Sequence, residues 1–547
     1  MPHFIELKKD HSSDPVPETE GQVRVAAKLE PEAGMPEPAM SDLASEKPAE
    51  ALEDRAEEPE TLVSDPENPA LAPVKADGSE KAGHLPGKSN HAIDMTTGNS
   101  YRLLLRFSLP LLLGNIFQQL YNTVDSMVVG NMVGKTALAA VGAGFPFLMA
   151  MVSFFMGLGI ASTVLISQAF GARDLEGINR IMNTIYVISG VIILPLTFVG
   201  IFFARPVLQL MNVADDGTLG LAVPYLCILF GGIFATMGYN LNSGCLQGLG
   251  DSVTSLKLLI LSTVINIVLD VTFVLFGWGV VGVALATVLA QMISWILGLI
   301  YINSHYEFMQ IKLLKLSFDR GIFKRTLRLG LPSALQGVLF SLGSMALYSL
   351  VNSFGRDFMA GFTGANKIDT LIFFPAQSFS SATTTFTGQN IGAKRLDRVR
   401  QGLISSLVIS VGCSVAVPLL LYIIAPWAMR LFSPDPAVIA SGVVYLRTVL
   451  PFYPALSTLF TFNGLLRGVG FMHVPLLATM VSMLIARVPS AYLLAANFGR
   501  DSIFYSYGIG WIAGSALVVL YYFFGKWRRG VLERMGEGAK SSAEARV

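Results

Sequence analysis

Charge is scarce in this sequence, and that scarcity is the first thing that bounds it. Asp, Glu, Lys and Arg supply 14% of the 547 residues against 52% hydrophobic ones, with a mean hydropathy of +0.56. A soluble enzyme needs a far more polar surface, whereas apolar runs of this length cross a bilayer. Cysteine is nearly absent. The three, Cys227, Cys245 and Cys413, stand singly inside apolar stretches, which excludes a disulfide framework or a Cys-based metal site and leaves them as small packing residues. No His/Asp/Glu or Cys/His group has catalytic spacing, so neither an enzyme nor a bound cofactor is expected. The opening Met-Pro-His-Phe-Ile-Glu-Leu-Lys-Lys-Asp lacks the apolar core of a signal peptide, so the first hydrophobic helix should direct insertion.

The net charge of +1 hides an uneven distribution. Residues 1–100 hold 21 acidic and 9 basic side chains, a net of −12, and the remainder carries a net of +13. That first segment is rich in Pro, Glu and Ala with almost no aromatics, and cannot bury enough surface to fold. Residues 1–98 are therefore expected to be a disordered acidic tail on the cytoplasmic side, and deleting residues 2–95 to leave insertion and transport largely intact. No role for nucleic acid is expected.

What the chain does have is a membrane unit written twice. At an offset near 221, Arg106-Phe-Ser-Leu-Pro110 falls on Arg328-Leu-Gly-Leu-Pro332, and Gln168-Ala-Phe-Gly-Ala172 on Gln389-Asn-Ile-Gly-Ala393. Pro206 falls on Pro426, Tyr225-Leu226 on Tyr445-Leu446, and Leu246-Gln-Gly-Leu-Gly250 on Leu466-Arg-Gly-Val-Gly470. Repeats of this size in an apolar chain point to a transporter whose halves move against each other around a central site.

Apolar runs between charged or Gly/Pro-rich breaks give six spans per half: 103–128, 137–164, 179–204, 219–243, 254–276 and 279–303, then 326–352, 358–388, 401–425, 439–464, 474–498 and 503–526. The fold class is thus all-α integral membrane. Twelve transmembrane helices form two six-helix lobes, 99–311 and 326–530, joined by a linker at 312–325 and followed by a tail at 531–547. An even number of spans per half makes both repeats enter in the same direction, so their pseudo-twofold axis runs along the membrane normal. Segments on the side of the termini carry 22 basic residues, including Lys312, Lys315, Arg320, Lys324, Arg325 and Arg328; the opposite loops carry Lys135, Arg205, Arg356, Arg430 and Arg500. By the positive-inside rule both termini are cytoplasmic, in a multi-pass cell-membrane protein expected as a monomer among membrane lipids.

Each charge kept in a bilayer core costs a few kcal/mol, so the survivors are functional candidates. Six stand within the bilayer core: Asp125, Asp270, Asp369, Lys367, Arg447 and Arg487. Asn266 and Asp270, four apart, share one helical face. Helical rise places them in the outer half of the membrane, where Thr287 reaches the same depth on the next span. The first span supplies a polar stripe of Asn115, Gln118, Asn122 and Asp125. Asp125 and Asp270 are therefore expected to share a wet cavity, where mutual repulsion in low dielectric disfavours double ionisation, as a proton site requires. The same oxygens with Asn266 and Thr287 also suit a Na+ ion, so H+ and Na+ stay open alternatives. Asp125 can also be read as an interfacial residue and Asp270 as a packing one.

The repeat sharpens this pattern. Shifting Asn266 and Asp270 by 220 lands on Ala486 and Ser490, and Asp125 lands on Leu347; the second half carries no copy of the cluster, so one coupling site is expected. Asp369 stands apart as a candidate to attract a cationic substrate. Met149 and Met156 lie in a Met/Phe-rich run that can pack in a core or form an adaptable wall for varied apolar substrates. Asn115, Gln118 and Asn122 are further candidates for lining the substrate path.

Gln119-Leu-Tyr-Asn-Thr-Val-Asp125, Gly130, Ala139-Ala-Val-Gly142, Gln168-Ala-Phe-Gly-Ala172, Leu246-Gln-Gly-Leu-Gly-Asp251, Asn266-Ile-Val-Leu-Asp270 and Gly282-Val-Ala-Leu-Ala-Thr287 together resemble the multidrug and toxic compound extrusion (MATE) transporters. The likeness covers residues 101–526. It implies a V-shaped pair of six-helix lobes exporting cationic or amphipathic compounds in exchange for H+ or Na+ by alternating access. It also implies a cation site at Asp125, Asn266, Asp270 and Thr287. One branch of the family places a glutamate in the seventh helix; Leu335-Gln-Gly-Val-Leu-Phe-Ser-Leu-Gly343 has none, which speaks against an ion site in the second lobe. The rival reading is a flippase for lipid-linked sugars, which should present a basic cavity. A channel is disfavoured because no charged ring or filter-like segment recurs beyond two copies.

Overall fold

The computed structural model describes residues 92–533 apart from 212, 214–216 and 314. Of the expected tails at 1–98 and 531–547, residues 1–91 and 534–547 lie outside the described residues. Helices account for the described chain: α1 Ser100–Val128, α2 Lys135–Gly171, α3 Leu175–Leu210, α4 Thr218–Gly231, α5 Ile233–Gly248, α6 Ser252–Leu275 and α7 Gly279–His305 form the first lobe. The second lobe has α8 Arg320–Asn352, α9 Arg356–Gly392, α10 Leu396–Arg430, α11 Pro436–Val449, α12 Tyr453–Val469, α13 His473–Thr479, α14 Val488–Phe498 and α15 Tyr505–Phe524.

Ten stretches are long and apolar enough to cross a membrane, and α4 with α5, bent by 49°, makes an eleventh. The twelfth pass is α9. Its Ser/Thr/Gln/Asn-rich second half keeps it below the apolar threshold, yet Thr383, Thr384, Thr385, Thr387, Gln389 and Asn390 are all buried. That polar half faces protein rather than lipid, where its groups find partners: Thr384 donates to the Gly464 carbonyl at 3.1 Å and Asn390 to the Phe386 carbonyl at 2.8 Å. Interior hydrogen bonds substitute for the hydropathy that a lipid-facing helix needs.

The repeat is visible in the backbone itself. Arg173 and Lys394, 221 apart, are the two non-glycine residues with positive φ among the described residues, both at 59°. Gly134 and Gly355, Gly250 and Gly470, and Gly277 and Gly499 repeat other left-handed positions at offsets of 221, 220 and 222. Equivalent turns therefore end equivalent helices, because only such a turn lets the chain re-enter at the next helix without a steric clash.

The lobes meet where the repeated Gln-x-x-Gly motifs cross. A Cβ on Gly171 would run into the Gln389 carbonyl, and one on Gly392 into the Gln168 carbonyl. Each motif thus packs its glycine on the other's backbone, as a twofold axis requires. Around this crossing Gln168 donates to the Gly468 carbonyl at 2.8 Å, Thr385 to the Gln247 carbonyl at 3.2 Å and Gln389 to the Gly248 carbonyl at 3.3 Å. Further along, Gly157 abuts the Gly330 carbonyl and Asn115 donates to Ser378 at 3.1 Å. The hydrogen bonds that join the lobes gather toward the end of the bundle from which α1 starts.

Two expected boundaries move. Residues 92–98 do not belong with the tail: Met95 is fully buried, its N–H donates to Gln389 at 2.8 Å, and its carbonyl accepts from Asn390 at 3.1 Å. Arg395 and Arg398 donate to the carbonyls of Thr96 and Gly98, each at 3.0 Å, Ile93 donates to the Gly250 carbonyl at 3.3 Å, and Arg173 pairs with Asp94 at 2.5 Å. This strap bonds to both lobes. The linker is also shorter than 312–325, because Asp319 caps α8 by accepting from Gly321 at 2.7 Å and Ile322 at 3.0 Å. Those two backbone donors hold its carboxyl below the usual range, as a filled N-cap does.

Deleting residues 2–90 should leave the melting temperature in detergent and the efflux rate unchanged, while extending the deletion to 98 should lower both; equal behaviour of the two truncations would show that the strap contributes nothing. Gly171→Leu should prevent closure at the crossing, since two backbones cannot separate locally without opening that end of the bundle. Spin labels placed on the ends of α2 and α9 should move apart, and an unchanged distance would contradict the packing argument.

Candidate functional site

In the first lobe α1, α6 and α7 converge on one polar cluster. Asn266 and Asp270 are fully buried on α6, on the shared face that their spacing implies. Tyr121 on α1 donates to the Thr287 hydroxyl of α7 at 3.3 Å, and Asn266 donates to the same hydroxyl at 3.5 Å. Asp125, one turn beyond Tyr121, lies close enough to Asp270 for one carboxyl to hydrogen-bond the other. All four residues singled out in the sequence are brought together. Asp125 remains half-buried while Asp270 is enclosed, so Asp125 stands between Asp270 and the open side.

The chemistry of this cluster lies in what it lacks. Both oxygens of Asp270, Oδ1 of Asp125 and Oδ1 of Asn266 are buried with no hydrogen-bond donor among the described residues. Two carboxylates are acceptors only, so neither can satisfy the other unless a proton sits between them. Donor-less buried oxygens normally cost a protein stability. Four on two facing helices form a ready-made place for a proton or a small hard cation.

Asp369, by contrast, is satisfied inside the second lobe. It accepts from the Tyr453 hydroxyl at 2.7 Å and lies beside Tyr445, with Arg487 near enough to act on it electrostatically. Arg487 closes a π-helical turn, Met480–Arg487, which swings its guanidinium 3.2 Å over the Tyr507 ring. Such turns often mark functional positions. Arg447 lies over the Tyr422 ring, 5.5 Å from its centre. Lys367, two residues from Asp369 and so on the other side of α9, is exposed.

The polar stripe of α1 divides. Asn115 bridges to the second lobe through Ser378, Gln118 is half-buried and Asn122 is exposed. Met149 is half-buried and Met156 exposed, on the face of α2 turned away from the packed residues Phe147 and Met151. The tyrosines escaped the reading of the sequence: Tyr121 and Tyr225 adjoin Asp125 and Asp270, as Tyr445 and Tyr453 adjoin Asp369. A signal existed. Tyr225 and Tyr445 are repeat partners, and each stands beside its own lobe's carboxylate.

Twelve membrane passes in two lobes that close at one end, with buried carboxylates toward the other, define a membrane transporter. The family model MatE matches residues 110–272 and 332–493, the same repeat at an offset of 222. The chain belongs to this family of small-molecule transporters. It is 31% identical to the probable multidrug resistance protein YpnP of Bacillus subtilis over 442 residues, 80% of this chain and 98% of that one. It is 27% identical to a probable multidrug resistance protein NorM of Thermotoga maritima, covering 79% and 94%. A FAD transporter of Shewanella oneidensis is 23% identical over 64% of this chain and 78% of its own. Among solved structures, an outward-facing multidrug resistance MATE family transporter of the MOP superfamily superposes with a TM-score of 0.75 at 26% identity, over 82% of this chain and all of that one.

Because donor-less oxygens hold nothing together, Asp270→Leu should leave the melting temperature unchanged or raise it. Asp369→Leu strips the Tyr453 hydroxyl of its acceptor and should destabilise by about 1–3 kcal/mol. Thermal unfolding in one detergent would compare them, and a larger loss in Asp270→Leu would mean that the cluster is structural.

Proposed function

We propose that the protein is a secondary active antiporter that exports cationic or amphipathic compounds in exchange for H+ or Na+ by alternating access. Asp125, Asn266, Asp270 and Thr287 form the coupling site. The observation that carries this is the set of buried acceptor oxygens on α1 and α6 without a donor: a site built this way gains most from a bound proton or Na+ and little from either in a packing role. Asp125, half-buried, is the entrance to Asp270. Closure at the strap-bearing end supports the outward-open state of such a cycle, with that end and both termini on the cytoplasmic side of the cell membrane.

The coupled ion and the outward cargo then bias one equilibrium in opposite directions. Ion binding removes the repulsion between Asp125 and Asp270 and lets α1 settle against α6. Ion release restores the repulsion and reopens the cluster to the cleft. Substrate contacts fall to the residues that face the cleft, Asn115, Gln118, Asn122, Met149 and Met156. Asp369, enclosed by tyrosines, supports the second lobe's packing and tunes substrate range from behind the cleft wall.

Proteoliposomes with independently imposed pH and Na+ gradients test the reading. Asp270→Asn and Asp125→Asn should reach the membrane at normal abundance and lose gradient-driven efflux at least tenfold, with direct ion binding lost in both. Asp369→Asn should keep ion binding and shift substrate affinity or range. Loss of ion binding in Asp369→Asn but not in Asp125→Asn would reverse the assignment of the lobes.

A further inference from the structure

The deeply placed basic side chains have no place in the mechanism above, and one of them faces the cleft. On α9 the residues Ala360, Thr363, Lys367 and Leu371 are exposed, while Phe358, Phe362, Ala365, Ile368, Asp369 and Ile372 on the other side are buried. At 100° per residue the exposed four lie within about 60° of the direction of Ser378. Ser378 is the residue that Asn115 of α1 touches at 3.1 Å. The exposed stripe is therefore the upward continuation of the line along which α9 meets α1, and it faces the gap that opens where the two helices diverge. Lys367 sits 11 residues into α9, roughly 16 Å from its start, and so well inside a hydrocarbon core about 30 Å thick.

Nothing acidic offsets it there. Lys367 makes no ion pair among the described residues, and the facing stripe of α1, Asn122 and Ser126 above Asn115, is neutral. The carboxylates are turned elsewhere: Asp125 lies about 80° round α1 from Asn115 and meets Asp270 within the first lobe, and Asp369 is tied to Tyr453 on the far side of α9. A second buried cation lies away from the gap, beside the α2/α9 crossing, where its neighbour Gly468 accepts from Gln168. Arg467, expected from the sequence to sit in a loop on the terminal side, lies within α12, donates to Gln336 at 2.7 Å, and leaves its Nε buried without a partner. The field in the gap is thus that of Lys367 on the second lobe facing amides on the first.

We infer that the gap between α1 and α9 recognises amphipathic organic anions, an apolar or aromatic body carrying a sulfonate, carboxylate or phosphate, and that Lys367 is the residue that pairs with the acid group. The inference rests on the export reading and narrows its cargo. An ammonium in a partly desolvated gap attracts an anion and repels a cation of the same shape by the same Coulomb term. The α1 amides, able to donate as well as accept, complete the acid's hydrogen bonds. Exposed Met156 and Phe145 on α2 offer the apolar body a surface. Lys367 then determines specificity without taking part in ion coupling.

Phenylnaphthylamine and anilinonaphthalenesulfonate share a ring system and differ by one sulfonate, and ethidium supplies a cation. Equilibrium binding of all three is measured by fluorescence on the full-length protein in detergent, with no gradient imposed. The wild type should prefer the sulfonate. Lys367→Gln should weaken the sulfonate about tenfold and leave the neutral amine within about twofold, Lys367→Arg should keep the preference, and Lys367→Glu should transfer it to ethidium. Equal weakening of the sulfonate and the amine, or no sulfonate binding by the wild type, would overturn the assignment. If the charge preference follows Lys367 but no probe moves when gradients are imposed in proteoliposomes, the export reading fails and the Lys367 assignment stands. Should Lys367→Gln fold poorly, the Arg and Glu variants decide alone.

Discussion

The crossing of α2 and α9 sets the terms for everything else in this molecule. Gly171 lies on the Gln389 carbonyl and Gly392 on the Gln168 carbonyl, a backbone-on-backbone contact made twice by one motif. Such a contact is nearly all-or-none, because packed backbones resist gradual separation. It therefore supplies a two-state element in the sense that alternating access needs. Gln168, Gln389 and Thr385 surround it with hydrogen bonds to carbonyls of the opposite lobe, none of which involves a charge pair. Hydrogen bonds of this kind are each worth about 1 kcal/mol net, enough in number to hold the closed end and weak enough singly to let it open.

Function then divides between the lobes because the repeat is symmetric in backbone and asymmetric in charge. The left-handed turns recur at offsets of 220–222, so both lobes offer the same scaffold. Upon it the first lobe places Asp125, Asn266 and Asp270, and the second places Arg487 and Arg467 at or near the corresponding helices. A buried acidic pair and buried guanidinium groups without an ion-pair partner among the described residues both cost folding energy. Placed in separate lobes they cannot neutralise each other. Under the function proposed above, the first of these costs is offset by a cation that comes and goes.

Much of this was legible in the residues. The offset near 221, the six spans per half and the convergence of Asp125, Asn266, Asp270 and Thr287 all follow from periodicity, since spacing alone decides which side chains share a helical face and depth. Three features were not. The strap at 92–98 reads as tail because its bonds are mainly from its backbone, and backbone partners such as Gln389, Asn390, Arg395 and Arg398 lie some 290 residues or more away. Arg467 reads as a loop cation because α12 runs on to Val469, past the charged and glycine-rich break at which the expected span ends, as α5 runs on to Gly248 in the first lobe. The tyrosines read as packing residues, since no local pattern marks a hydroxyl that will meet a carboxylate on another helix.

The polarity of α9 ties these observations together. A helix rich in Thr, Ser, Gln and Asn is a poor membrane span by hydropathy, and α9 survives because α1, α2, α10 and α12 cover its second half, with α12 carbonyls accepting from Ser380 and Thr384 and Asn115 of α1 donating to Ser378. Its first half has no such cover on the side of Lys367. The same helix is thus a seal at one end and an exposed, lysine-bearing surface at the other. Rocking the lobes about the crossing must uncover part of the threonine-rich half while it covers the lysine. On the inference drawn above, release of a cargo's acid group by Lys367 and entry of water at Thr385 or Gln389 are two consequences of one rotation. Binding in the gap therefore acts on closure through a rigid helix, without any side-chain relay between them.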